Sequence, residues 1–182
     1  ILPKALWFER HQPSVAAGAR WYLASWEWVA LRLSGVAAET SLPGQVHPDR
    51  GRIAAAGLSA GRIPAPVAAG SVIGALLPGP AAELGLEAGI PVVAGMADAH
   101  ASFVGAGLLE PGDAIDTGGT SGGFAVYTDR PLEVPGVFGA AAPIPGRWFL
   151  GGAMNATGKA LDWFRDALLR GSATTAQLLA EA

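Results

Sequence analysis

The apolar positions fall into two rhythms. From Ser14 to Leu33, residues Val15, Ala19, Tyr22, Leu23, Trp26, Val29, Ala30 and Leu33 recur at helical spacing, which predicts one long amphipathic helix. Pro13 suits its first turn and Gly35 its stop. Residues 36–66 are rich in Gly, Pro and Ala, and predict loop with a short helix near Ile53–Gly57. Ser71–Leu76 predicts a short strand, and Ala81–Leu86 a short helix after two prolines. Ile90–Gly95 is short, β-branched and apolar throughout, the pattern of a buried strand. Residues 99–108 are small and apolar, which suits a tightly packed helix. Glu110-Pro111-Gly112-Asp113 is a turn and the expected domain boundary. Beyond it, Ala114–Thr117 and Gly123–Tyr127 predict two strands, and Arg147–Leu150 another. Asn155–Arg170 predicts an amphipathic helix with Leu161, Phe164, Leu168 and Leu169 inward, and Ala173–Ala180 the start of one more. Strands mixed with helices and no internal repeat indicate an α/β fold.

Composition narrows the function. Of 182 residues, 51% are hydrophobic and 15% charged, a globular balance. A net charge of −3 without a basic run argues against nucleic acid and anionic membranes as partners. No apolar run is long enough to span a bilayer. The absence of cysteine excludes disulfides and thiolate metal sites, and fits a cytoplasmic setting. The first residues, Ile1-Leu2-Pro3-Lys4, carry neither an initiator Met nor a signal peptide, and both ends read as mid-chain. The expectation is an internal fragment.

Three features can carry chemistry. Asp98 follows the apolar strand and is the only acidic or basic side chain between Glu87 and His100. Ligands of open α/β sheets gather at the carboxyl ends of strands, where a carboxylate can take a proton from an alcohol. The alternative is a helix cap; Ala101, three residues on, rules out a capping box. Next comes Asp116-Thr117-Gly118-Gly119-Thr120-Ser121-Gly122-Gly123. Glycines let backbone N–H groups crowd around an anion, and two hydroxyls add donors. It is neither a Walker A loop nor a dinucleotide fingerprint, and a plain hairpin turn is the rival reading. Last, Gly151-Gly152 leads through Asn155 and Gly158 into a helix with Asp162-Trp163, suited to a nucleotide or to close helix–sheet packing. His11, His47 and His100 lack metal-ligand spacing. His11 and His47 lie in polar contexts that predict solvation, and His100 can line the cleft of Asp98 or stay in the core. The spacing suggests no Ser/His/Asp triad.

In their order along the chain these features resemble the FGGY carbohydrate kinases, xylulokinase-like members in particular. Lys4-Ala5-Leu6-Trp7 with Pro13 resembles the segment after the family's sugar-contacting region. Tyr22–Gly35, ending Leu31-Arg32-Leu33-Ser34-Gly35, is similar to its long helix and L-T-G turn. Ala88–Asp98 is similar to its catalytic-aspartate strand, and Gly119-Thr120-Ser121-Gly122 to its G-T-S-G phosphate hairpin. Gly151-Gly152, Gly158 and Leu161-Asp162-Trp163 resemble its nucleotide-side helix.

The resemblance implies an actin-like, ribonuclease-H-like ATPase fold, with residues 1–110 closing a first domain and 111–182 opening a second. It implies ATP and Mg²⁺, and a sugar or polyol substrate such as xylulose. Asp98 would be the general base, with Ala99 and His100 beside the sugar. Gly119, Thr120, Ser121, Gly122, Gly158 and Asp162 would serve the nucleotide. A homodimer is a further expectation. Ala99 departs from the Asn or Gln the family often has there, and residues 36–66 look shortened. The rival readings are a non-catalytic nucleotide- or sugar-binding member of the same fold group, and an interaction module without ligand.

Overall fold

The computed structural model describes residues 2–45, 47, 49–119 and 122–181. The chain divides into two compact units, Ile1–Ser102 and Phe103–Ala182.

The first unit opens with helices α1 (Leu2–His11), α2 (Pro13–Gly18) and α3 (Ser25–Ser34). The single helix expected from 14 to 33 is therefore two, parted by residues 19–24. Tertiary bonds override the periodicity there. Tyr22 donates its N–H to Arg62 O at 2.8 Å and its hydroxyl to Glu9 Oε1 at 2.8 Å. The Arg62 guanidinium reaches Glu9 as well as the carbonyls of Ala16 and Ala17, the last turn of α2. Both expected punctuation marks hold. Pro13 stands in the first turn of α2, and Gly35 closes α3 at φ 75°, donating its N–H to Leu31 O.

The region 36–66 is more ordered than its composition suggests. Strand β1 (Glu39–Ser41) pairs in parallel with β2 (Pro66–Ala68), and α4 (Arg50–Ala55) lies between them in sequence. Glu27 is buried, and its carboxylate accepts N–H bonds from Ala24 at 2.7 Å and from Thr40 at 2.8 Å. A buried charge needs such partners, and these tie the start of α3 to β1. Ala5, Ile53, Leu58 and Ile63 form one small core. Strand β3 (Val72–Ala75), α5 (Pro78–Leu84) and β4 (Pro91–Val93) surround a second, made of Leu76, Ala81 and Val92. Helix α6 (Asp98–Gly105) runs across the division between the units.

The second unit is built on a four-stranded antiparallel sheet: β5 (Ala114–Asp116), β6 (Gly122–Thr128), β8 (Trp148–Met154) and β7 (Phe138–Ala141), in that spatial order. Its core holds Phe103, Leu108, Ala125, Tyr127, Ala142 and Phe149. The expected strand at 147–150 extends to Met154, because β6 opposes it residue for residue from Gly122 to Thr128. The short β7 was not anticipated. Helix α7 (Thr157–Trp163) passes into a π turn at Phe164–Leu168, and α8 (Thr175–Glu181) follows. Leu161 and Leu169 are half-buried, but Phe164 and Leu168, expected inward, are exposed.

Candidate functional site

In the first unit, β3 and β4 form an antiparallel pair. The strand at 90–95, expected to be buried throughout, buries Val92 and Ala94 while Ile90 and Val93 stay exposed. Two strands cover one face, so alternate side chains remain outside. Past the strand, Gly70 donates to Ala94 O at 2.8 Å, and Ala94 to Ser71 O at 2.8 Å. A Cβ on Gly95 would lie 3.7 Å from the Trp26 Cβ, ordinary contact against α3. The backbone that delivers Asp98 is thus held from two sides.

Asp98 is the first residue of α6, and its side chain is exposed. Its Oδ1 accepts the Ala99 N–H at 2.8 Å. Ala97, not Asp98, supplies the carbonyl that opens the helix, accepting the Ala101 N–H at 3.0 Å. The carboxylate therefore satisfies one first-turn donor and still faces solvent, where an acidic group also suits the positive end of the helix. Ala99 is exposed. His100 is half-buried, and burial pushes its imidazole below the usual histidine range. A lowered value favours the neutral ring near pH 7.

In the second unit the hairpin between β5 and β6 is clamped. Thr117 donates its N–H and its hydroxyl to Gly123 O, at 2.8 and 3.1 Å. Gly119 O accepts the Gly158 N–H at 2.8 Å and the Thr157 hydroxyl at 3.2 Å. A Cβ on Gly122 would fall 2.8 Å from both Cγ2 and Oγ1 of Thr157, so any larger residue must displace that side chain. Gly119 and Gly122 here meet Thr157 and Gly158, which are remote from them in sequence. Asp162 lies one turn further along α7, exposed, in an ion pair with Arg165 at 3.1 Å. Thr120 and Ser121, at the tip, lie outside the described residues.

Sequence reasoning passed over Thr157, whose hydroxyl holds the Gly119 carbonyl and whose side chain packs against Gly122. Its position directly before Gly158, at the first helical residue, was the available signal. It also misjudged His47. Expected to be solvated, that side chain is only 19% exposed, set between Glu39 and Ser41. His11 is exposed and stacks on Trp7 at 5.2 Å. Among the described residues, no group of three or more His, Cys, Asp or Glu could hold a metal ion, and no helix is long and apolar enough to cross a membrane.

No family model matches the chain. Individual proteins do. It is 31% identical over 172 residues to the xylulose kinase of Escherichia coli, a match covering 88% of this chain and 35% of that one. The autoinducer-2 kinase of Yersinia enterocolitica is 29% identical over 189 residues, covering 98% and 36%. In backbone, the chain is similar to the crystal structure of a xylulose kinase from Rhodospirillum rubrum, with a TM-score of 0.80 and 26% identity over 98% of this chain and 38% of that one. The chain spans about a third of the length of the curated relatives it matches. By these matches the chain corresponds to part of the FGGY carbohydrate kinases and shares their actin-like ATPase fold.

Proposed function

We propose that the full-length protein transfers the γ-phosphoryl group of ATP to a hydroxyl of a sugar or polyol, a ketose such as xylulose foremost. The observation that carries this reading is the contrast between the two candidate groups. Asp98 presents an exposed carboxylate, and Gly119 on the β5–β6 connection is bonded through its carbonyl to Thr157 and Gly158. Phosphoryl transfer demands little covalent chemistry from a protein and much positioning. An exposed proton acceptor and a braced glycine turn divide that work.

In this reading Asp98 accepts the proton of the attacking hydroxyl, and the oxygen displaces ADP from the γ-phosphorus in line. The backbone N–H groups of the hairpin hold the phosphates, with the Thr120 and Ser121 hydroxyls as added donors. Gly158 and Asp162 flank the nucleotide. Ala99 and His100 line the sugar side, and the methyl of Ala99 leaves more room there than Asn or Gln would. Mg²⁺ would arrive with the nucleotide, since the described residues form no cage for it. The first of the two family domains ends at the Glu110–Asp113 turn, the second begins after it, and the assembly is a cytoplasmic homodimer.

A coupled assay of sugar-dependent ADP release from the full-length protein tests the reading. Release that rises with a ketose or polyol supports it. Nucleotide binding without sugar-dependent release would favour a non-catalytic sensor instead. The 182-residue chain alone should show no transfer, because it spans about a third of its relatives' length.

A further inference from the structure

The first unit carries a second constellation, outside the residues assigned to phosphoryl transfer. Glu39 and Ser41 end β1 two residues apart, so the strand puts their side chains on one face. The turn after β1 carries the chain back, with Gln45 N–H bonded to Leu42 O at 3.1 Å. This sets the His47 ring over both. His47 Nε2 lies 2.7 Å from Ser41 Oγ, and Nδ1 lies 3.4 Å from Glu39 Oε2. The His47 and Glu39 side chains are 19% and 20% exposed.

The backbone beneath is fixed on both edges. Thr40 N–H is held by the buried Glu27, and Ser41 O accepts the Ala69 N–H at 3.0 Å. A hydroxyl on one ring nitrogen and a carboxylate on the other is the arrangement that activates a serine nucleophile. The Ser41 hydroxyl also lies 3.3 Å from Leu42 O, a longer contact than that to the ring. The N–H following a nucleophilic serine is a natural oxyanion donor. Here that is Leu42 N–H, bound at 3.0 Å by the side-chain oxygen of Gln45 in an exposed contact that a substrate oxygen can displace.

We propose that Ser41, His47 and Glu39 form an acyl-transfer site for small carboxylic esters, independent of the kinase reading. Ser41 Oγ bonds to the ester carbonyl carbon as its proton passes to His47 Nε2. The carbon–oxygen bond to the leaving alcohol breaks, and that oxygen takes the proton. Water then adds to the acyl-serine, its proton moving through the same nitrogen. The carboxylic acid departs and Ser41 is restored. Glu39 is the positioning residue that holds the ring tautomer.

Treatment of the protein with a fluorophosphonate, followed by peptide mass spectrometry, reads nucleophilicity directly. Turnover of p-nitrophenyl acetate reads the full cycle. The site predicts an adduct on Ser41, no adduct in Ser41→Ala, and labelling slowed about 100-fold or more in His47→Ala, the scale of a lost general base. Glu39→Gln should slow it less and move its pH profile. His47→Gln serves the same comparison if His47→Ala loses its fold by circular dichroism. No adduct on Ser41, or equal labelling rates with and without the imidazole, would overturn the proposal.

Discussion

Asp98 and the glycine hairpin are supported in opposite ways. Asp98 sits exposed at the start of α6 and bonds only to the neighbouring Ala99 N–H among the described residues. The hairpin is locked from both sides, by Thr117 onto Gly123 O and by Thr157 and Gly158 onto Gly119 O. Little in the first unit depends on the carboxylate itself. The second unit has been shaped around its glycines. A residue kept for chemistry can be changed without cost to the fold, whereas a residue kept to shape a cradle cannot.

Substitutions can break or sharpen this contrast. The largest structural effect should come from Gly151→Ala. A Cβ there would lie 2.0 Å from Phe124 O in the neighbouring strand, so backbone must move. A loss of about 4 kcal/mol or more is expected, in the exceptional range for one residue, read by denaturant unfolding. Gly122→Ala meets the Thr157 side chain at 2.8 Å, and that side chain can turn away only by giving up its bond to Gly119 O. About 1–3 kcal/mol should be lost, as for overpacked sites. Adding Thr157→Ala should recover part of it, and a double-mutant cycle checks this.

Tyr127→Phe should act in the other direction. Tyr127 is fully buried in the core of the second unit, and its hydroxyl has no hydrogen-bond partner among the described residues. Removing that oxygen should stabilise by about 1 kcal/mol, since an unsatisfied buried donor costs about that or more. A raised thermal midpoint is the readout.

The smallest effect concerns His100. Its lowered pKa means that the fold favours the neutral ring. Its contribution to stability is complete above the unfolded value of about 6.5 and fades as pH falls through the lower folded value. NMR titration should show His100 protonating below the ordinary histidine value of about 6.5.

Local chemistry made half of this legible. Pro13, Gly35, the β5–β6 turn and the start of a helix at Asp98 each follow from backbone preferences of a few residues. Tertiary partners decided the rest. The break between α2 and α3 depends on Arg62 and Glu9, remote in sequence from Tyr22. The parallel pair of β1 and β2 joins residues 39–41 to 66–68 across a stretch whose composition reads as loop. His47 looks solvated until the turn after β1 folds it onto Glu39 and Ser41. On the hairpin, the glycines announce a tight turn, but only the neighbouring α7 shows that a side chain at Gly122 would displace Thr157.

The most direct test is Asp98→Asn in the full-length protein, with sugar-dependent ADP release, ATP affinity and thermal midpoint measured on one preparation. Transfer should fall about 10³-fold, within the range for a lost general base, while ATP affinity and the melting point stay at their wild-type values. Retained turnover, or lost turnover accompanied by a lowered melting point, would contradict the role assigned to this carboxylate.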